Sequence, residues 1–508
     1  MATRNEWKLY TRKCDLTGQD IISAYDLNTP FPVYNNKDWW GDKWEALDFG
    51  RDFDFDRPFF EQFKELQDVV PREGTTVFNS VNCDYNGHIR ESKNCYLNSL
   101  VFGCEDVFYS YWMVKDKDVF DSMYTNESTL CYACSNVNGG YSCIALEESS
   151  NCNDCYFSYQ LRGCKNCLFC SNLTNKEYYI RNKPCSKEEF EEEKRKLLSG
   201  SRDDYNRAYD YFLEEIKNSS VQKYVHNLNC ENVVGDHVYN SKNCEECYES
   251  FDAEDSFNSI SLSGSRDTHN SYSAGWPGCD RVYYCAVTRG STDVAFCTYT
   301  WFSNNLRYCD SSNTCKDCFG CIGLRHKQYC ILNKQYSKEE YEKMLPRIIA
   351  HMEKTGEWGQ FFPPEISVYA YNETAAQDFF PLSEKEATNL GWKWKGKNKK
   401  EYGKPTLAEI VDNISDVSPD IVEKILACSD CGKNYKIVPR ELEFYRKMGL
   451  PIPVLCPQCR HGARFKEKNP LKLFSRECDN CQKEIESSYA PDGKEQVYCE
   501  ACYLETMN

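Results

Sequence analysis

Eight cysteines near the C-terminus have the type and spacing to do chemistry. Cys428-x2-Cys431 is followed after 24 residues by Cys456-x2-Cys459, and Cys478-x2-Cys481 after 17 residues by Cys499-x2-Cys502. A Cys-x2-Cys turn offers two thiolates to one ion, and two such turns complete the tetrahedral four-sulfur shell that Zn²⁺ favours. The second spacing lies in the usual window for such sites and the first is slightly longer. We expect two zinc sites, one ligated by Cys428, Cys431, Cys456 and Cys459, the other by Cys478, Cys481, Cys499 and Cys502. Four sulfurs leave no position for an activated water, so each ion holds together a small domain that could not fold without it. His461, beside Cys459, reads as a surface residue rather than a fifth ligand.

Between the first two knuckles the chain reads GKNYKIVPRELEFYRKMGLPIPVL, and Pro457 and Arg460 complete a Cys-Pro-x-Cys-Arg ending. With Glu443, Phe444, Tyr445, Gly449, Leu450 and Pro453, this stretch of about 35 residues resembles an uncharacterised zinc-ribbon family of treble-clef-like type. The whole chain is similar to uncharacterised cysteine-rich proteins of uncultivated small-genome bacteria. Neither resemblance implies a known activity.

Residues 12–40 align without a gap on residues 476–504. Arg12, Cys14, Asp15, Ile21, Ser23, Tyr25, Val33 and Tyr34 match Arg476, Cys478, Asp479, Ile485, Ser487, Tyr489, Val497 and Tyr498. The ligands do not match: Thr17, Asn35 and Asp38 stand for Cys481, Cys499 and Cys502. One thiolate makes a poor zinc site, since soft sulfur supplies most of the affinity. The expectation is a metal-free ribbon-like fold, with Trp39, Trp40 and Trp44 supplying apolar burial. The alternation Asp52-Phe-Asp54-Phe-Asp56 predicts a half-buried strand rather than a calcium loop.

The elements of the body follow from a repeat. Stepping by twelve from Cys83 gives Cys95, Val107, Val119, Cys131, Cys143, Cys155 and Cys167. Six places on runs a mostly apolar column: Ile89, Val101, Met113, Thr125, Val137, Ser149, Leu161, Leu173. The residue before the first column is usually Asn or Asp; the residue after it is usually apolar or aromatic. In the second half Cys244, Ser256 and Thr268 keep the step. A two-residue insertion follows near Trp276-Pro277-Gly278, and Val282, Val294, Leu306, Cys318 and Cys330 resume it. A companion column reads Cys285, Cys297, Cys309, Cys321, and Cys164/Cys167/Cys170 match Cys315/Cys318/Cys321 at a constant offset.

A fixed short period with inward columns is the signature of a solenoid. Cys and Val suit the narrow interior, and Asn and Asp suit corners because they tolerate left-handed backbone. Whether a rung holds 12 or 24 residues is open at this point. Capping boxes at Ser186/Glu189 and Ser337/Glu340 open predicted helices near 187–217 and 338–354 that would close each solenoid. The body cysteines read first as buried reduced thiols. Additional zinc, best placed at Cys152, Cys155, Cys164 and Cys167, is the second reading and disulfides are the third.

The fold class expected is mainly β: two β-solenoid modules of 12-residue repeats, each followed by a capping helix, flanked by small zinc-ribbon-like domains. The layout is a degenerate ribbon plus helix (1–70), a first solenoid (77–185), a helical connector (186–220) and a second solenoid (225–335). A helical segment (336–394), a basic linker and helix (395–427) and two ribbons (428–470, 471–508) follow.

At 508 residues with 41% hydrophobic and 27% charged residues the composition is globular, and no apolar run is long enough for a membrane span. The start, MATRNEWKLYTRK, has no apolar signal core, and 32 cysteines with zinc thiolates suit a reducing compartment, so a cytoplasmic location is expected. The net charge of −17 argues against a coat of nucleic acid. The charge is split: residues 1–390 are acidic, while Lys393–Lys404 and Arg460–Arg476 are locally basic.

No phosphate loop, His-Glu zinc helix or nucleophile elbow is present, and catalytic residues are assigned to none. His88 and His237 fall at matching places of the two halves, which repeat structure explains better than catalysis. The first functional reading is a non-enzymatic zinc-containing scaffold with protein partners and no membrane. The second is a nucleic-acid- or ribosome-associated factor, with the basic tail on phosphate and Trp392 or Trp394 on a base. The third is an enzyme using a solenoid face.

Overall fold

A computed structural model describes residues 1–396, 404–407 and 409–506. The expected fold class holds. Two large, almost wholly parallel sheets dominate: fourteen strands between Thr76–Phe78 and Lys183–Pro184, and twelve between Glu231–Tyr239 and Lys334–Gln335.

The register of the first sheet settles the size of a turn. Val107 pairs with Val119, Val119 with Cys131, and Cys155 with Cys167. On the opposite side Val101 pairs with Met113, Met113 with Thr125, and Thr125 with Val137. One rung is therefore twelve residues. In the second sheet Cys244 pairs with Ser256 and Leu306 with Cys318. Thr268 pairs with Val282, so the two inserted residues are absorbed within one rung.

A shorter period is nested inside the twelve. Backbone φ is positive at Asp106, Tyr109, Trp112, Lys115 and Asp118, every third residue, at values from 52° to 56°. Each such residue turns the chain, and the residue after it (Val107, Ser110, Met113, Asp116, Val119) is buried. The rung is thus a four-sided tube with three residues per side. Sequence reading found two of the four inward columns in the first half. The other two carry Ser, Asn, Asp and Gly more often than apolar residues, so hydrophobic periodicity hides them.

Why polar residues sit inside follows from the backbone. The N–H of each inward residue needs an acceptor. Ser122 donates its N–H to Ser110 Oγ at 3.1 Å, and Cys134 donates to Ser122 Oγ at 3.1 Å. Thiols do the same: Cys297 N–H donates to Cys285 Sγ and Cys309 N–H to Cys297 Sγ, both at 3.4 Å. Cys297 Sγ–H in turn donates to the Ala295 carbonyl at 3.2 Å. Cysteine is apolar enough to fill the tube and polar enough to close its hydrogen bonds.

Each tube ends in an antiparallel turn, Glu177–Ile180 with Lys183–Pro184 and Gln328–Ile331 with Lys334–Gln335. Both capping boxes form, on Lys187–Leu197 and Lys338–Thr355. The predicted 187–217 helix is broken at Ser199–Gly200 and continues as Arg202–Tyr211 and a π-turn Phe212–Lys217. Within 395–427 the described residues hold two 3₁₀ turns, Ile414–Asp416 and Pro419–Glu423, in place of the expected helix.

Asp52–Asp56 is a second correction. The alternation of burial is present, with Phe53 buried and Asp52 and Asp54 exposed, but no strand partner exists among the described residues. Gln62 takes the backbone instead, its Oε1 accepting from Asp54 N–H at 2.8 Å. The N-terminal unit covers the end of the second tube. Trp44 and Phe59 pack on its last turns, where Gly320 at φ 61° leaves no room for a Cβ, which would lie 2.8 Å from the Phe59 ring.

The aromatic column after the cysteines faces outward. Phe108 and Phe120 stack at 4.6 Å, and Phe444 stacks on Phe120 at 3.9 Å. That strip is where the helix Pro439–Met448 docks.

Candidate metal centres

In each C-terminal unit a short antiparallel hairpin carries the first knuckle and the start of a helix carries the second. The hairpins are Leu426–Ala427 with Asn434–Tyr435, and Phe474–Glu477 with Glu484–Ser487. The helices are Pro457–Lys466, begun by Cys456, and Glu500–Thr506, begun beside Cys499. The structure brings together all eight expected ligands, in two groups whose sulfurs lie within 4.8 Å of one another. Cys431 and Cys456 Sγ are 3.8 Å apart, as are Cys481 and Cys499 Sγ. Four thiolates at about 2.3 Å from a tetrahedral ion are separated by about 3.8 Å, so both groups fit a metal ion.

Backbone N–H groups favour the thiolate at one cysteine of each group. Burial pushes the Cys428 thiol up, but N–H groups of Cys431 and Cys456 outweigh it and bring it down to about 6. Cys478 is held at about 6 in the same way by Cys481 and Cys499. The thiolate is the form a metal binds.

The N-terminal copy reproduces this frame without the ligands. Its strands Tyr10–Lys13, Asp20–Ser23 and Val33–Tyr34 match Phe474–Glu477, Glu484–Ser487 and Val497–Tyr498 residue for residue. Asp15 accepts from Val33 N–H at 2.7 Å where Asp479 accepts from Val497 N–H at 2.6 Å. In place of four sulfurs, Asn35 donates to Asp38 and lies 3.8 Å from Cys14 Sγ, while Lys43 Nζ sits 3.1 Å from Asp38. A hydrogen-bonded cluster with one ammonium occupies the ion's place. Trp39 and Trp44 are buried beside it.

His461 is a correction. It is buried, with its ring 3.8 Å from that of Trp7 and 4.5 Å from that of Phe465. Burial pushes its pKa well below the usual histidine range. Its position one turn into the helix Pro457–Lys466 turns it away from the knuckle and into the joint with the N-terminus.

Cys152, Cys155, Cys164 and Cys167 do not form a metal-holding group among the described residues. Their thiols donate to backbone carbonyls instead, Cys155 to Asn153 at 3.4 Å and Cys164 to Arg162 at 3.5 Å. Two columns of the tube, not four corners of one site, hold these sulfurs.

A third group escaped sequence reading. Glu148, His226 and His237 place one ligand atom each within 4.8 Å of one another, on a cavity of about 240 Å³. Glu148 and His237 are corner residues of the two different tubes, at φ 50° and 54°, and point outward. His226 lies on the segment entering the second tube. His237 Nε2 is 3.1 Å from Glu148 Oε1, and His226 Nε2 is 3.9 Å from Glu148 Oε2. Asp236 stands behind both rings, its carboxylate 3.4 Å from Nδ1 of each, and accepts the backbone N–H of His226 at 2.6 Å and of His237 at 2.9 Å. Burial would raise Glu148, but the two imidazoles bring it down to about 2; Asp236 and Glu148 raise His237 well above its ordinary value against its burial.

His237 does share its rung position with His88, as repeat structure implies, yet their surroundings differ: His88 Nε2 lies 3.2 Å from the Asn5 carbonyl. The sequence signal was thin. Asp236-His237 with a histidine eleven places earlier becomes a site only when a second tube brings Glu148.

No known family matches the chain, and no curated protein matches it. Among solved structures, one described as a candidate acetyltransferase from Desulfovibrio desulfuricans G20 is 9% identical over 48% of this chain and 63% of its own, with a TM-score of 0.12. The chain thus spans less than two thirds of that protein's length, and so slight an overlap carries no argument about activity.

Proposed function

We propose that the protein is a zinc-containing scaffold, built to present surfaces to other proteins in the cytoplasm rather than to catalyse. The single observation that carries this reading is the closed geometry of the two four-cysteine groups. Their sulfur spacing suits Zn²⁺, and four thiolates leave it no reactive position. The resemblance of the Cys428–Arg460 stretch to zinc ribbons agrees with it. The second tube offers exposed aromatic residues for contact, among them Phe251, Phe257, Tyr283 and Phe302.

The nucleic-acid alternative draws less support. Of the second basic stretch, Arg460 and Arg464 pair with Asp121, Lys468 with Glu249 and Arg476 with Asp479. Of the first, Trp392 and Trp394 pack with Tyr371 and Ala387, and Lys393 donates to the Ser367 carbonyl at 2.7 Å. Residues 397–403 lie outside the described residues. No helix among the described residues is long and apolar enough to cross a membrane.

Elemental analysis of the full chain tests the reading. Two zinc ions are expected, one lost with Cys431→Ser and the other with Cys481→Ser. Four or more would overturn the account of the body cysteines. Retention of the chain by RNA or DNA at physiological salt would favour the alternative.

A further inference from the structure

We propose that Glu148, His226 and His237 form a third metal site, an open one, which takes a first-row divalent transition ion with an oxygen-donor ligand such as water. Two imidazoles and one carboxylate on one side of a cavity are a ligand set for such ions, with the remaining positions open. A metal with bonds of about 2.1 Å holds ligands at right angles about 3.0 Å apart. The 3.1 Å between His237 Nε2 and Glu148 Oε1 meets that. The Asp236 carboxylate lies 3.4 Å behind Nδ1 of each ring, on the side an outer carboxylate takes behind metal-bound histidines.

The charges of the cavity lead to the same place. Lys217 pairs with Glu147 at 2.9 Å, and Lys468 pairs with Glu249. Glu148 and Asp236 have no lysine or arginine partner among the described residues; Glu148 meets the two imidazoles and the Asn136 amide, and Asp236 the two imidazoles and two backbone N–H groups. A dication bound between the neutral imidazoles would be balanced in charge by these two carboxylates. The side chains of Glu148, His226 and His237 are 14%, 11% and 10% exposed, so the ion would be sheltered but reachable from the cavity.

The site differs in kind from the cysteine sites. Its nitrogen and oxygen donors accept Mn²⁺, which does not displace an ion from four thiolates. The test is a titration of the full-length protein, its cysteine sites loaded, with Mn²⁺ alone, followed by the electron paramagnetic resonance of free Mn²⁺. One Mn²⁺ per chain is expected to bind. Glu148→Gln and His237→Ala should abolish that equivalent while both cysteine-bound ions remain. Asp236→Asn should weaken it about 10- to 100-fold. Absence of binding to the unmutated protein, with Co²⁺ also failing to bind beyond the cysteine sites, would overturn the proposal, as would binding unchanged in both ligand variants. Elemental analysis of the cysteine sites reads separately, so failure here leaves the scaffold reading standing.

Discussion

Inside the tube a single carboxylate shows how far burial governs chemistry. Asp116 occupies an inward position, accepting from Ser128 N–H at 2.7 Å and Thr125 Oγ at 2.8 Å. Burial raises its pKa from 3.8 to about 7. The folded state therefore keeps a proton that the unfolded chain releases. Its contribution to stability is full below about pH 4 and is lost as pH rises toward 7. Asp116→Asn imitates the neutral form. Relative to the unmutated protein it should gain roughly 2–4 kcal/mol between pH 5 and 8, at about 1.4 kcal/mol per pKa unit. Urea melts at several pH values read this; an equal pH slope in both proteins would refute it.

At the scale of the element, the stack is held by columns whose members hydrogen-bond from rung to rung. Cys297 links Cys285, Cys309 and the Ala295 carbonyl. Cys297→Ser keeps donor and acceptor in a similar volume, and Ser already fills such positions at Ser271 and Ser303. It should cost no more than about 1 kcal/mol. Cys297→Ala leaves the buried Cys309 N–H without its acceptor and opens a small void, which should cost roughly 2–4 kcal/mol. Chemical denaturation orders the two; equal losses would show that the sulfur acts by volume alone.

In the whole molecule the acidic body and the basic tail complete one another. Asp121 lies on the first tube, 2.9 Å from Arg460 Nε and 3.0 Å from Arg464 Nη1, with Asp121 and Arg460 buried and Arg464 half-buried. Glu6, from the N-terminal segment, accepts from Tyr111 of one tube and Tyr272 of the other, both at 2.7 Å, and so joins them. Asp121→Ala takes away the carboxylate both guanidinium groups share, leaving Arg460 with Glu441 at 3.5 Å and Arg464 with the Tyr109 carbonyl at 2.8 Å. It should cost about 2–3 kcal/mol of docking between the tube and the C-terminal unit, little changed by salt. Limited proteolysis should then cut between 404 and 427 sooner, while the metal content of the chain should not change. Unchanged cleavage would mean that the aromatic strip around Phe120 and Phe444 holds the joint by itself.

What was legible in the sequence was local or periodic. Knuckle spacing is set by the reach of two thiolates to one ion, so the eight cysteines could be grouped without coordinates. A twelve-residue rung repeats its side-chain demands at every turn, so the parallel stack and its corner residues could be read as columns. The ungapped match of residues 12–40 to 476–504 carried the strand frame with it. The three-residue side was not legible, because backbone N–H groups let Ser and Asn share the interior with Val. Nor was the fate of His461, since Trp7 meets it only in the fold. Glu148, His226 and His237 became one group only when two tubes lay side by side, because a contact between separate turns leaves no spacing in the chain.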